Sequence, residues 1–243
     1  MLKVFINAGH GDHDSGAVNK NLKLEERNMT KMIALEVMDK LEKREIICKS
    51  YQEKLHLSEV IHEANKTDCN VFISIHMNAV APNKAKGLET LYCEGSKQGE
   101  KLAKYVQSAL AIPFVDPKYT FVNRGVKDDS NRHLGVLRQT KMTSCLVEVG
   151  FIDNDTEANF VLNNVSNIAE RVVRGIISYA LSENLVPTVP VAQPEPTKTD
   201  IQIIPSGKEG TYNLFVTGKL VLKENSITTI HNYLKDKYNQ YLY

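Results

Sequence analysis

The sequence predicts an α/β fold, in which a mostly parallel twisted sheet is covered by helices on both faces, followed by a small α+β domain. The first observation is that short apolar runs alternate with amphipathic, helix-like stretches over most of the chain. The second is that "NVFISIH" and "SCLVEVGF" are almost continuously apolar, which is typical of parallel strands buried on both faces. The third is the stretch "VPTVPVAQPEPTKTD", which holds four of the eight prolines and predicts an extended linker. We therefore divide the chain into residues 1–185, 186–200 and 201–243.

The elements of residues 1–185 can be predicted in chain order. The strand "LKVFI" is followed by a helix from about Glu25 to Lys43, the strand "REIICKS" and a helix around "HLSEVIHEANK". The strands "NVFISIH" and "SCLVEVGF" come next, and the helix "SNIAERVVRGIISYALSEN" closes the domain, with Ser166 as its expected N-cap. The apolar stripe of this last helix consists of Ile168, Val172, Ile176 and Tyr179.

The C-terminal segment, residues 201–243, predicts three strands and one helix. The strands are "IQIIP", "TYNLFV" and "KLVLK", with Thr217 and Gly218 as a hairpin turn between the last two. Asn225 or Ser226 would cap the helix. Its apolar stripe consists of Ile227, Ile230, Leu234, Tyr238 and Tyr241. A domain of this size is close to the lower limit for independent stability, so we expect that it could associate with a second copy.

The composition excludes several classes of protein. The 30 basic and 29 acidic residues give a net charge of +1, so there is no basic field to attract nucleic acid. No run approaches the roughly 20 apolar residues that span a bilayer, and no signal-like segment opens the chain, so we expect synthesis in the cytoplasm. The cysteines have neither disulfide-framework nor zinc-knuckle spacing and are expected to be reduced thiols, mostly in the core. They are Cys48, Cys69, Cys93 and Cys145.

Two histidines stand at the carboxyl ends of predicted strands, where ligands gather in open α/β sheets. His10, in "NAGHGDHDSGA", lies a few residues beyond the first strand, and His76 closes the strand "VFISIH". A solvated loop residue and a core histidine bonded to a backbone carbonyl are the alternative interpretations. Because both histidines stand at the same edge of the predicted sheet, a third interpretation is that they belong to one shared site.

Two carboxylates are predicted to point inward. Glu26 projects close to the middle of the stripe formed by Met29, Ile33 and Val37, whereas Glu25 falls at its edge and suits the helix dipole better. Glu148 interrupts an apolar strand, and alternation places it on the face of Leu146 and Gly150. A buried acid needs a partner, so each is either a structural ion-pair member or part of a site.

Together these residues suggest a catalytic zinc site. Two imidazoles and one carboxylate, here His10, His76 and Glu26, form a three-ligand set that leaves one position open. Imidazole favours one Zn²⁺ ion over magnesium or calcium, and Glu148 would serve as the general base. Asp12, His13 and Asp14 lie close enough to His10 to compete as ligands.

The chain resembles the zinc-dependent N-acetylmuramoyl-L-alanine amidases of the type-3 family. The stretches that match are "AGHGDHDSGA", "EERNMTKMIAL", "EVIHEAN", "VFISIHMNA", "GLETLY", "NRGVK" and "CLVEVGFIDNDTE", in the family's order, and they cover residues 2 to about 182. The resemblance implies that His10, Glu26 and His76 hold zinc and that Glu148 is the catalytic acid or base. Three positions depart from the usual pattern, because Asn7 and Ala8 replace Asp-Pro and His62 replaces an arginine.

The resemblance also implies a substrate and a setting. The expected reaction is hydrolysis of the amide between N-acetylmuramic acid and L-alanine in bacterial peptidoglycan. Asn78, Asn123, Arg124 and Lys127 are expected to contact substrate, the last three through its carboxylates, with a solvated loop as the alternative. The modular plan suits a phage endolysin. A sporulation or mother-cell autolysin, a stem-peptide carboxypeptidase and a non-catalytic wall-binding protein are the alternatives.

The composition of the C-terminal segment suggests two alternative roles. It holds five of the ten tyrosines, whose rings could stack on sugars, so we expect a cell-wall-binding module. The alternative is a homodimerisation module.

Overall fold

The computed structural model describes residues 1–50, 56–112, 122–185, 201–208, 211–216 and 219–225. The elements before residue 186 are, in chain order, β1 (Lys3–Ala8), β2 (Val18–Asn19), β3 (Leu24–Glu25), α1 (Glu26–Glu42), β4 (Ile47–Lys49), α2 (Leu57–Lys66), β5 (Val71–Asn78), β6 (Leu88–Tyr92), α3 (Lys97–Leu110), β7 (Asn123–Asp128), α4 (Gly135–Arg138), β8 (Thr143–Phe151), α5 (Asp155–Asn163) and α6 (Val165–Ser182).

Six of these strands form one sheet with the spatial order β4-β1-β5-β8-β6-β7, and β2 and β3 form a separate hairpin. The pairings of β1 with β4, β1 with β5, β5 with β8 and β6 with β7 are parallel. Only the pairing of β6 with β8 is antiparallel within this sheet. The prediction of a mostly parallel sheet is therefore confirmed.

Two apolar clusters hold the helices against the two faces of the sheet. On one face α1, α3 and α6 pack over residues such as Ile6 and Ile73. On the other face α2 and α4 cover Phe5, Phe72 and Leu146, and the two phenylalanine rings stack with centroids 5.5 Å apart. Helices thus cover both faces, as the sequence predicts.

The alternation of β8 agrees with the prediction made for Glu148. Cys145 and Val147 belong to the cluster under α1, α3 and α6, whereas Leu146 belongs to the cluster under α2 and α4. Since side chains alternate along a strand, Glu148 points to the face of α2 and α4.

The N-cap expected for the last helix of this domain was wrong. α6 begins at Val165 with Asn164 as its N-cap, and Asn164 is also the C-cap of α5. The two helices therefore share one connecting residue, and Ser166 already lies in the first turn, where its hydroxyl donates to Glu36 Oε1 at 2.7 Å. The predicted stripe of Ile168, Val172, Ile176 and Tyr179 is buried.

The C-terminal strands are β9 (Ile201–Pro205), β10 (Tyr212–Val216) and β11 (Lys219–Asn225), which confirm the three predicted strands. They form an antiparallel sheet in the order β11-β10-β9, and β9 contacts α3 and α6. The predicted linker over 186–200, the turn at 217–218 and the helix after residue 225 lie outside the described residues.

Two expectations from composition can be compared with the described part of the chain. All four cysteines are free, and they are buried or half-buried, as expected for thiols of the interior. None of the helices described here combines the length and the apolar character needed to cross a membrane.

Candidate metal centre and active site

The described residues contain one group of potential metal ligands, and it consists of His10, Glu26 and His76. One ligand atom from each residue lies within 4.8 Å of the others. His10 follows the end of β1, His76 lies near the end of β5, and Glu26 is the first residue of α1. The structure therefore brings together the three residues that the sequence predicts as ligands.

A tight loop after β1 fixes the position of His10. The N–H of Gly9 donates to the carbonyl of Ile75 at 2.8 Å, which ties the loop to β5. His10 then adopts a left-handed backbone with φ of 66°, a conformation that is uncommon for residues other than glycine and that occurs often at functional sites. Gly11 and Asp14 exchange two backbone hydrogen bonds of 3.0 and 3.1 Å and close the loop.

Asp14 supports His10 and is not itself grouped with the ligands. Its Oδ2 lies 2.7 Å from His10 Nδ1, which leaves Nε2 facing Glu26 at 3.1 Å. A carboxylate on the second ring nitrogen fixes the orientation of a metal-binding imidazole. His13 stacks on His56 with ring centroids 4.9 Å apart. The sequence allowed His13 and Asp14 as competing ligands, but neither belongs to the group of potential ligands in the structure.

Glu26 lies between the two imidazoles. Its Oε2 is 3.1 Å from His10 Nε2 and its Oε1 is 3.0 Å from His76 Nδ1. The backbone N–H groups of Ala17 and Met77 donate to the same two oxygens at 3.1 and 3.0 Å. Four donors thus hold a carboxylate that is only 4% exposed.

Two glycines leave the room that these ligands occupy. A Cβ on Gly9 would lie 2.3 Å from His76 Cε1, so the imidazole rests directly against the backbone. A Cβ on Gly16, which has φ of +64°, would lie 2.6 Å from His10 and 2.7 Å from Glu26 Oε2. The glycines of "NAGHGDHDSGA" therefore allow the close approach of the ligand side chains.

The charges of the ligand group are strongly coupled. Burial lowers the pKa of His10, but hydrogen bonds and charges from Glu26 and Asp14 outweigh this effect and raise the pKa to about 9. Burial by itself would raise the pKa of Glu26, yet hydrogen bonds to His10 and His76 hold it well below its ordinary value. A proton on His10 therefore supplies positive charge beside Glu26, and metal binding would displace this proton.

The donor set fits a zinc ion. Neutral imidazole and carboxylate are common zinc ligands, and a set of three leaves one coordination position for water or substrate. Magnesium and calcium prefer shells made of oxygen atoms, which this group does not offer. The second nitrogen of His10 already has the carboxylate partner typical of zinc sites.

Glu148 stands beside the ligand group on the next strand. It pairs in register with His76, and neighbouring strands lie about 4.8 Å apart. Its Oε1 accepts a hydrogen bond of 3.1 Å from Arg132 Nη1, whereas its Oε2 is buried and has no partner among the described residues. Burial raises the pKa of this carboxyl group, although the charge of His76 opposes the shift.

Glu89 is a buried carboxylate that the sequence analysis missed. It is fully buried on β6 and lies directly opposite Glu148 in the antiparallel pair. The signal was present in "GLETLY", where an acid interrupts a short apolar strand just as Glu148 does. Burial alone would raise the pKa of Glu89, but hydrogen bonds from Lys127 and Arg124 keep it below its ordinary value. Its side-chain donors are Arg124 Nε at 2.7 Å, Lys127 Nζ at 2.6 Å, Asn78 Nδ2 at 3.0 Å and Arg132 Nη2 at 3.3 Å.

Three of the four residues predicted to contact substrate occupy an edge strand rather than a loop. Asn123, Arg124 and Lys127 belong to β7, and Arg124 and Lys127 bind Glu89 while remaining partly exposed. Asn123 instead accepts a hydrogen bond from Gln107 Nε2 at 2.6 Å. Asn78 is buried on β5. Three of the four predicted residues therefore surround Glu89, and Asn123 supports the start of β7.

A cavity of about 450 Å³ opens beside the ligands on the face of α2. His10 and His76 line it on one side, and apolar residues from α2, α4 and β8 form much of the rest. This cavity gives a ligand access to the two imidazoles. Its apolar lining consists of Ala8, Leu57, Val60, Leu134, Val136 and Leu146.

The comparisons with known proteins agree with this geometry. Residues 4–178 match the profile of the N-acetylmuramoyl-L-alanine amidase family. The chain is 32% identical to the Bacillus subtilis protein YqiI over 184 residues, which cover 72% of this chain and 84% of YqiI. It is 29% identical to the endolysin of Bacillus phage SPP1 over 225 residues, which cover 85% of this chain and 78% of the endolysin. The crystal structure of an N-acetylmuramoyl-L-alanine amidase from Clostridium difficile 630 superposes with a TM-score of 0.68 at 30% identity, covering 75% of this chain and 98% of that chain.

Proposed function

The chain belongs to the N-acetylmuramoyl-L-alanine amidase family, and from this premise we propose that it hydrolyses the amide joining N-acetylmuramic acid to the L-alanine of the peptidoglycan stem peptide. The observation that carries the proposal is the grouping of His10, Glu26 and His76 within 4.8 Å, with Glu148 in register beside His76. Peptidoglycan is the substrate of this reaction.

We propose that the three grouped residues hold one zinc ion. When bound, zinc would polarise the scissile carbonyl and lower the pKa of water at the site. Asp14 orients His10 for this task, and the backbone N–H groups of Ala17 and Met77 hold both oxygens of Glu26 in place. The chain thereby prearranges the ligands before any ion arrives.

Glu148 is proposed as the general base and then the general acid. Its Oε2 has no hydrogen-bond partner among the described residues, so this oxygen can accept a proton from the attacking water. Burial raises the pKa of the carboxyl group, which brings it closer to the pH at which a base can both accept and return a proton. The same oxygen then delivers the proton to the leaving amine of L-alanine. Arg132 donates a hydrogen bond to Oε1 and thereby leaves Oε2 available for this proton transfer.

The test is digestion of purified peptidoglycan by the wild type, by Glu148→Gln and by a control, Glu63→Gln, each with its zinc content measured. Glu63 is a surface residue paired with Lys66, so its change should leave activity intact. We expect about one zinc in all three proteins and stem peptides with a free L-alanine amino group from the wild type and the control only. Fragments cut elsewhere in the stem would indicate a carboxypeptidase, and zinc binding without cleavage would indicate a wall-binding protein.

Among the settings of this activity, we favour that of an endolysin. The alignment with the SPP1 endolysin extends over 85% of this chain, whereas the alignment with YqiI covers 72%. Lysis of host cells by the purified protein applied together with a membrane-permeabilising agent would support this setting. A sporulation autolysin would instead prefer the peptidoglycan of the spore cortex over that of vegetative cells.

We also propose that residues 1–185 form the catalytic part and that residues 201–243 bind the cell wall. The three-stranded sheet of the C-terminal segment and its share of tyrosines support this division. A fusion of residues 201–243 to a fluorescent carrier should sediment with purified walls. Dimerisation through the same segment is the alternative, and a doubled mass in solution that is lost on cleavage after residue 185 would favour it.

A further inference from the structure

Three cationic side chains line one side of the active site. Arg124, Lys127 and Arg132 are 32%, 45% and 41% exposed at their side chains, and each makes an ion pair with Glu89. Glu89 itself is fully buried, so it fixes the three cations from beneath while their outer surfaces face solvent. We call these three residues the cation cluster.

The cation cluster carries more positive charge than its protein partners neutralise. Among the residues that the structure describes, these three cations pair with two carboxylates, those of Glu89 and Glu148, so one positive charge remains. A partly exposed cluster with an uncompensated positive charge attracts an anion.

Arg124 has hydrogen-bond donors to spare. It uses Nε for Glu89 at 2.7 Å, and its two terminal nitrogens have no acceptor among the described residues. The guanidinium lies over the ring of Phe151, 5.0 Å from the ring centroid, which holds the plane of the group in place. A fixed guanidinium with two free N–H₂ groups matches the two oxygens of a carboxylate.

The opposite side of the site has the reverse character. The cavity beside α2 is lined by apolar residues, by the imidazoles of His13 and His56 and by the carboxylate of Asp14. No lysine or arginine is among its described lining residues. A substrate carboxylate would therefore be drawn toward β6 and β7 and away from the cavity.

We propose that the cation cluster binds a carboxylate of the stem peptide, so that the peptide side of the scissile amide lies toward β7 and the muramoyl side lies over the apolar cavity. This inference rests on the proposed amidase function and adds to it the direction in which substrate crosses the site. The strand order supports this direction, because His76 on β5, Glu148 on β8, and Arg124 and Lys127 on β7 follow one another across the sheet.

The test uses two soluble muramoyl peptides that are identical except that the acidic residue next to L-alanine has a free carboxylate in one and a carboxamide in the other. We would measure kcat/KM for both with the wild type, Arg124→Gln, Arg124→Lys and a control, Lys43→Gln. Lys43 is a surface residue at the end of α1 and is paired with Asp39. The ratio of the two kcat/KM values is the readout, because partial unfolding of a variant lowers both values equally.

We expect the wild type and Lys43→Gln to prefer the free carboxylate by at least about 10-fold, since one charge-assisted hydrogen-bonded pair is worth about that factor. Arg124→Gln should reduce the ratio toward one through KM, and Arg124→Lys should give an intermediate ratio because it keeps the charge but loses the paired donors. A wild-type ratio near one, or a ratio unchanged in Arg124→Gln, would overturn the proposal and show that the cluster only neutralises Glu89.

A binding measurement separates this proposal from the amidase assignment. Calorimetry with Glu148→Gln gives the dissociation constants of the two muramoyl peptides in the absence of turnover. If the wild type cleaves neither peptide, the proposed amidase function fails, and the ratio of dissociation constants still decides whether the cation cluster reads the carboxylate. If the wild type cleaves both peptides equally well, the amidase function stands and the carboxylate site is refuted.

Discussion

Replacing Gly9 by alanine should displace His76, a proposed metal ligand, without changing the chemistry of its imidazole. The new Cβ would lie 2.3 Å from His76 Cε1 and 2.5 Å from each ring nitrogen. Carbon atoms in contact are about 3.5 Å apart, so the ring must move by about 1.2 Å. Metal–ligand distances tolerate only about 0.2 Å, which means that His76 cannot keep its place in the ligand group.

The size of the effect follows from known losses at metal sites. Changing a residue that merely supports a ligand costs about 10–100-fold in metal affinity, so displacing the ligand should cost at least about 100-fold. This factor corresponds to about 2.8 kcal/mol. We would measure zinc affinity by competition with a chromophoric chelator, and circular dichroism of the metal-free proteins would establish that both are folded.

Gly11 provides a matched control in the same loop. A Cβ on Gly11 would have no atom within 4 Å, so Gly11→Ala should bind zinc about as tightly as the wild type. If Gly9→Ala kept its zinc affinity, or if Gly11→Ala lost as much, steric contact with His76 would not be what the glycine avoids.

Two further predictions concern stability. Glu157→Ala should lower the free energy of unfolding by about 3 kcal/mol in urea titrations. The reason is that two buried backbone N–H groups, which now donate to Glu157 at 2.6 and 2.7 Å, would be left without acceptors. A loss below about 1 kcal/mol would contradict this account. Burial raises the pKa values of Glu89 and Asp129, but their cationic and N–H partners outweigh this effect and hold the pKa values below the ordinary 4.5 and 3.8. The stability that these two ionised carboxylates contribute is therefore present above those pH values and is lost as the pH falls through the lower pKa values of the folded protein. The free energy of unfolding should decrease below about pH 4.5, and it should decrease less steeply in Asp129→Asn. A free energy of unfolding that stays constant down to about pH 3 would refute the reasoning.

The sequence could predict the ligand group because each member follows a rule of position. His10 and His76 stand at strand ends, and helical periodicity turns Glu26 inward. Each statement depends on only a few neighbouring residues. The structure then brings the three together because β1 and β5 are adjacent and parallel.

The cation cluster could not be predicted in the same way. Glu89 gave a readable signal, but Arg132 lies in a turn whose shape depends on Asp129, a buried residue that receives hydrogen bonds from the backbone of Glu94 and Leu134 and from Arg138. Sequence periodicity does not reveal such contacts. The antiparallel pairing of β6 with β8 is likewise determined by tertiary packing, and this pairing places Glu89 opposite Glu148.

The strand order also constrains the sequence of events in folding. The site residues span 138 positions from His10 to Glu148, and the sheet joins strands that are remote along the chain, a topology that folds slowly. His10 and His76 come together when β1 pairs with β5, and Glu26 joins them when α1 packs on these strands, whereas Glu148 reaches the site only when β8 pairs with β5. The proposed metal site can thus form before β8 is in place, whereas the proposed catalytic site is complete only after β8 has joined the sheet.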